Sequence, residues 1–227
     1  MRRNLLFLLL FLMMGTGGCS LKTGLRQETA PDGQVDVQLG GIESVRFCST
    51  ARALYYTVIE NNNRQVYRYD FAAQKREGLL SSSYEETLED VDTRGDLLVT
   101  TDRYDVQGDI LLLHGKKEKN LGHPFVKEMM PRFSPDGSLI AALVREKGKT
   151  SLAVFDREGN ETFRSEFSGA DDLAFGEGEV YLLRGTEILA VNITTGTIRV
   201  VSTSSIPKSG LFFDTSVSRL FFLVSPG

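Results

Sequence analysis

Phe133-Ser134-Pro135-Asp136-Gly137-Ser138-Leu139 sets a turn between two apolar positions. Proline presets φ at the first central position, aspartate can bond the local backbone, and glycine accepts a positive φ. Leu139 to Val144 then runs as six apolar residues, too short for a stable helix, and reads as a strand buried on both faces. Glu146-Lys147-Gly148-Lys149 is a second turn, Ser151 to Asp156 a further strand, Arg157-Glu158-Gly159-Asn160 a third turn, and Thr162 to Phe167 closes a unit of four strands.

The same pattern recurs along the chain. Phe47 to Leu54, Val91 to Leu97, Phe175 to Val180 and Phe213 to Leu220 each place an apolar residue, a short polar turn and an apolar strand in that order. The anchors at 47, 91, 133, 175 and 213 are 44, 42, 42 and 38 residues apart. A period of about 40 residues suits a four-stranded propeller blade. Further strands follow in the other copies: Leu54 to Ile59 and Gln65 to Tyr69, Leu97 to Thr101 and Asp109 to Leu113, Val180 to Leu183 and Glu187 to Val191. After residue 35 no long segment carries a helical period. The expected fold is therefore all-β, a β-propeller of about five four-stranded blades over residues 34–227.

From Phe133 onward the sequence resembles the Pro-Asp-Gly type of WD-repeat-like propeller. That type occurs in the Tol-system periplasmic propeller and in prolyl oligopeptidase-like enzymes. The resemblance covers about residues 43 to 227 and is sharp only in the third copy. It implies an architecture; function has to be argued from sites. Four copies are complete, and the fifth stops after Leu220 to Val224. In one arrangement an N-terminal strand, Gln34 to Leu39, completes the last blade and closes a five-bladed ring. In the other the propeller stays partial and exposes strand edges with Phe212, Phe213, Phe221 and Phe222. Closure is the more stable of the two.

The first nineteen residues read as an export signal. Arg2 and Arg3 precede Leu5 to Met14, an apolar run of ten that as a helix would span about 15 Å, half a bilayer core. Gly17-Gly18-Cys19 resembles the bacterial lipoprotein cleavage and lipidation site, with Thr16 where that family usually has an aliphatic residue. The resemblance implies acylation of Cys19, with palmitate among the chains, and several chains make a firm anchor. Ser20 rather than Asp after the cysteine implies, for a Gram-negative cell, the outer membrane facing the periplasm. Residues 20–33 are polar and read as a flexible tether.

With the signal removed, about 208 residues remain, enough for one domain with its own core. The net charge of −4 excludes a basic nucleic-acid footprint. Cys48 has no internal partner once Cys19 is the acylated terminus, so the fold does not depend on a disulfide, and Cys48 reads as a small buried hydrophobe. His114 reads as a turn residue after a strand, His123 as a residue of an inter-blade loop, and neither has a metal-ligand neighbour at the right spacing. Asp102, Asp105 and Asp109 read as a solvated hairpin loop rather than a Ca²⁺ loop. Glu85, Glu86, Glu89 and Asp90, with Asp92 behind them, form an acidic stretch entering the second blade and the candidate partner-binding patch; Asp171 and Asp172 stand similarly at the fourth. No catalytic residues, metal site or cofactor emerge.

The expectation is an exported, lipid-anchored, non-catalytic β-propeller scaffold, a TolB-like fold at the cell envelope. Its partners would be the membrane, through lipid, and an unknown envelope protein or peptide. A truncated fragment of a larger propeller, or a glycan- or peptide-processing enzyme with two carboxylates about 5–10 Å apart at the funnel, stay open as alternatives.

Overall fold

In a computed structural model of the chain, the turn at Ser134 to Gly137 closes as its residues dictate. Gly137 adopts φ 70° and donates its N–H to Ser134 O at 2.8 Å. Asp136 Oδ1 accepts from Ser138 N at 3.0 Å and from the Ser134 hydroxyl at 2.6 Å. These bonds, led by that from Ser134, hold the Asp136 carboxyl down to about 2. The structure describes residues 27–29, 35–37, 41–48, 50–60, 62–80, 82–123, 126–167, 169–214 and 216–224. The export signal, Cys19 and the first part of the tether lie outside them.

The chain divides into two compact units, Met1–Gly41 and Ile42–Gly227. In the first, β1 (Gln27–Thr29) and β2 (Val35–Val37) pair antiparallel, with Thr29 opposite Val35. The strand expected at Gln34 to Leu39 is thus present in its middle, and its partner lies in the stretch read as tether.

The second unit is the propeller sheet set. The first blade holds β3 (Ile42–Cys48), β4 (Ala53–Glu60), β5 (Asn63–Asp70) and β6 (Lys75–Leu80). The second holds β7 (Glu86–Val91), β8 (Leu97–Thr101), β9 (Asp109–His114) and β10 (Lys117–Asn120). The third holds β11 (Lys127–Phe133), β12 (Leu139–Glu146), β13 (Lys149–Asp156) and β14 (Glu161–Glu166). The fourth holds β15 (Asp172–Phe175), β16 (Glu179–Arg184), β17 (Glu187–Asn192) and β18 (Ile198–Thr203). Each is an antiparallel meander in sequence order, and β19 (Lys208–Asp214) with β20 (Arg219–Val224) forms a two-stranded sheet after them.

Apolar strands without polar alternation have a direct cause here. Successive side chains of a strand point to opposite faces, and each blade meets a neighbour on both. Leu97 and Val99 of β8 pack with Ala53, Tyr55 and Val66 of the first blade. Leu98, between them, packs with Ile140, Ala142 and Phe155 of the third. Ala141 and Leu143 of β12 point the other way, onto Leu173, Val180 and Leu189 of the fourth. The cores therefore lie between blades. The last hairpin completes one more, with Leu211, Phe213 and Leu220 against Leu183 and Ile188. Its other face carries Phe212, Phe221 and Leu223, which are 47–58% exposed.

This sets two unequal costs. Leu143→Ala, at a fully buried site between blades, is expected to lose about 2–5 kcal/mol in urea denaturation. Leu223→Ala, on the open face of β20, is expected to stay within about 0.5 kcal/mol.

Candidate functional site

The innermost strands β3, β7, β11, β15 and β19 stand side by side, and all but β15 shift register against their partners. Such a bulge re-aims the side chains that follow it. Just before each anchor residue it presents Arg46, Asp90 and Arg132 in the first three blades, while Asp172 opens β15 in the fourth. Arg46 Nε donates to Glu89 O at 3.0 Å. Arg132 Nη1 donates to Glu89 Oε2 at 3.2 Å, and its Nη2 lies 3.7 Å from Asp172 Oδ1. Thr100 also donates to Glu89 Oε1, at 3.1 Å.

Two of these carboxylates bond the backbone of the next blade. Asp90 Oδ2 accepts from Phe133 N at 2.9 Å, and Asp172 Oδ2 accepts from Leu211 N at 2.8 Å. Both bonds run from the inner strand of one blade to the inner strand of the next. Burial pushes the Asp90 carboxyl up, and the positive charges of Arg132 and Arg46 pull it back. Burial lowers Arg46, and the neighbouring Arg132 lowers it further.

The acidic stretch expected as a partner patch is divided among separate tasks. Glu85 pairs with Arg64 of the first blade at 2.7 Å. Glu86 is fully buried and pairs with Arg103, which also reaches Glu118 at 2.6 Å. Glu89 and Asp90 belong to the inner-strand set above. The structure brings the last two together and leaves Glu85 and Glu86 at the opposite end of β7. Sequence gave no sign of the partners, because each lies on a strand or turn far along the chain.

At the other rim, turns of the second and third blades are fastened by a buried ion network. Asp92 Oδ1 accepts from Arg94 N and Asp96 N at 2.8 and 2.9 Å, closing its own turn. Arg157 of the third blade donates to Asp92 Oδ2 at 3.0 Å, to Gly137 O at 2.8 Å and to Asp96 Oδ2. His114, read as a turn residue at a strand end, is the last residue of β9, and its Nδ1 lies 2.6 Å from Asp96 Oδ1. Cys48 is buried, with Sγ 3.2 Å from the Thr50 hydroxyl and 3.5 Å from Asp92 O.

The reading of Asp102, Asp105 and Asp109 as one solvated loop holds only in part. Asp109 starts β9 and is buried, because Gly122 leaves room for its carboxyl against the main chain. His123 lies beside a buried acid, Glu128, with Nδ1 3.3 Å from Oε1. Among the described residues no group of three or more His, Cys, Asp or Glu is placed to hold a metal ion.

The remaining distinctive surface is apolar. Phe212 and Phe221 face each other across the last hairpin and are 58% and 47% exposed. Leu223 extends it along β20, whose outer edge has no strand partner among the described residues. By contrast, the outer strands β10 and β14 are dressed with charge, Lys117-Glu118-Lys119-Asn120 and Glu161 to Glu166.

No family model matches the chain, and no curated protein matches it in sequence. Solved structures resemble it in fold. One is a chain of the nidogen/laminin complex, at 13% identity and TM-score 0.62, covering 88% of this chain and 80% of that one. A second is the putative TolB from Agrobacterium tumefaciens, at 12% identity and TM-score 0.62, covering 89% and 83%. A third is TolB from Acinetobacter baumannii, at 17% identity and TM-score 0.58, covering 81% of this chain and 49% of that one. The shared architecture is the β-propeller.

The inner-strand carboxylates can be tested by substitution. Asp90→Ala strips the acceptor from Phe133 N–H and is expected to cost about 1–3 kcal/mol in urea denaturation. Asp90→Asn keeps one acceptor oxygen and is expected to cost less.

Proposed function

We propose that the chain is an exported, lipid-anchored and non-catalytic β-propeller scaffold that binds protein or peptide partners at the cell envelope. The observation that carries the binding role is the last hairpin. Its open face is aromatic, and among the described residues the edge of β20 offers unpaired backbone N–H and C=O groups. An extended peptide added to such an edge gains main-chain hydrogen bonds, and alternate side chains supply specificity. Phe212, Phe221 and Leu223 give that strand an apolar bed.

The anchor and location rest on the N-terminal sequence. Arg2 and Arg3, the apolar run Leu5 to Met14 and the Gly17-Gly18-Cys19 site support export with acylation at Cys19. The Pro135-Asp136-Gly137 turn, similar to that of the Tol-system periplasmic propeller, fits the same compartment.

A photo-reactive phenylalanine at position 221 is expected to crosslink an envelope protein or peptide, with the same group at position 117 on β10 as control. Phe212→Asp is expected to abolish that adduct while the chain stays folded. Equal labelling at both positions would refute the assignment. Cells fed labelled palmitate are expected to label the wild-type chain and not Cys19→Ala; an unlabelled wild type removes the anchor.

A further inference from the structure

Glu86 and Glu128 hold equivalent places in consecutive blades, 42 residues apart, each near the start of an inner strand and each buried. Their partners differ. Glu86 has the Arg103 guanidinium. Among the described residues Glu128 has only the half-exposed His123, whose main-chain N–H donates to Oε1 at 3.0 Å and whose Nδ1 lies 3.3 Å from the same oxygen. Its second oxygen, Oε2, is buried and accepts no hydrogen bond.

Asp109 stands on the neighbouring blade in the same condition, 2% exposed with Oδ2 buried and unbonded. Its carboxyl lies directly on Gly122: a Cβ added there would fall 2.1 Å from Oδ1. Consecutive residues, Gly122 and His123, are thus each seated on one of the two acids. Asn120 completes the seat by accepting Gly122 N–H on Oδ1 at 2.8 Å while its side chain bonds Asp109. The ring of His123 stacks on Phe155 of the third blade, 5.6 Å between centroids.

The charges facing this pair are few. Asp105, from the loop before β9, adds a negative charge beside Asp109. Arg164 of β14 feels Glu128, but its guanidinium is bonded to Glu161 at 2.9 Å and shorter distances. His123 is the remaining cationic candidate, and it faces water on one side. Two carboxylates enclosed in this way cannot both be ionised without a large desolvation cost.

We propose that Asp109 and Glu128 form a proton-holding pair that seats Gly122 and His123 and fastens the second blade to the third when protonated, and that loosens this junction when its protons are lost. It is a pH-sensitive fastening built into the inter-blade packing. Burial pushes both carboxyls up, each also raised by a neighbouring carboxylate, Asp105 for Asp109 and Asp109 for Glu128. The sign follows from linkage. A carboxyl raised in the folded state contributes stability that is full below the unfolded carboxyl range, near 4, and is lost as pH rises through the folded values.

The test uses urea denaturation of the full chain and two variants between pH 4.5 and pH 8. Glu128→Gln keeps the acceptor for His123 N–H and removes the charge that loss of the proton would leave. Its urea midpoint is expected above that of the wild type at pH 8, with the gap closing toward pH 4.5. Asp109→Asn is expected to flatten the pH dependence in the same way. Infrared spectra are expected to show a protonated-carboxyl C=O band that persists above the ordinary carboxyl range and that either substitution reduces. A variant less stable than the wild type by the same amount at every pH, or no protonated band, would overturn the proposal. So would a calcium-dependent rise in midpoint that Glu128→Gln abolishes, because the pair would then be a cation site.

Discussion

Each sheet of this fold is apolar on both faces and can be buried only between two others. Leu97 and Leu98 are adjacent in sequence, and one belongs to the core shared with the first blade while the other belongs to the core shared with the third. The unit of stability is therefore the junction between blades. Much else follows from that constraint. The turns have to be short, the blades have to stand in order, and the faces at the ends of the series have no apolar neighbour unless something supplies one. On the last hairpin the consequence is visible: Leu211, Phe213 and Leu220 are turned inward, while Phe212 and Phe221 are turned out.

Hydrophobic burial alone does not fix how far one blade is rotated against the next, since it is nondirectional. The directional bonds are those that cross the junctions. Near the inner strands the Asp90 and Asp172 carboxylates take main-chain N–H groups of the following blade. At one rim Arg157 joins the turns of two blades through Asp92 and Gly137 O. At the other, Arg64 joins Glu43 of its own blade to Glu85 of the next. A hydrogen bond to a charged group is worth about 1.5–3 kcal/mol net, more than a neutral one, and loses value steeply with misalignment. Such bonds set the register that the apolar faces leave open.

The fold was legible because its signals are local. The turn at Pro135 to Gly137 states its own geometry, the six apolar residues from Leu139 state a strand buried on both faces, and the spacing of the anchors states the repeat. The strands read from sequence in the second to fourth blades, Leu97 to Thr101 through Glu187 to Val191, lie within two residues of those observed, while β7, β10, β11, β15 and β18 had no bounds read for them. The acidic stretch was read less well for the opposite reason. Glu85, Glu86, Glu89 and Asp90 look alike in sequence, and their roles are set by Arg64, Arg103, Arg132 and the Phe133 N–H. Two of those partners are more than 40 residues away, one blade on. Asp109 was assigned to solvent for a related reason, since only the small size of Gly122, in the next connection, gives its carboxyl somewhere to go.

A repeat transmits position more faithfully than partnership. The 42-residue period returns an acid at the start of two inner strands, yet Arg103 follows the first by 17 residues, and the matching place after the second is Arg145. Arg145 pairs with Thr150 across β12 and β13 and is exposed, and the bond to Glu128 comes from His123 instead. The same acidic position is thus an arginine ion pair in one blade and, among the described residues, a buried carboxyl bonded only by His123 in the next. Keeping a buried carboxylate without its cation is costly, and a second such acid beside it compounds the cost. Where a fold built from near-equal copies departs from its own rule at that expense, the departure marks the copy whose chemistry differs from the rest.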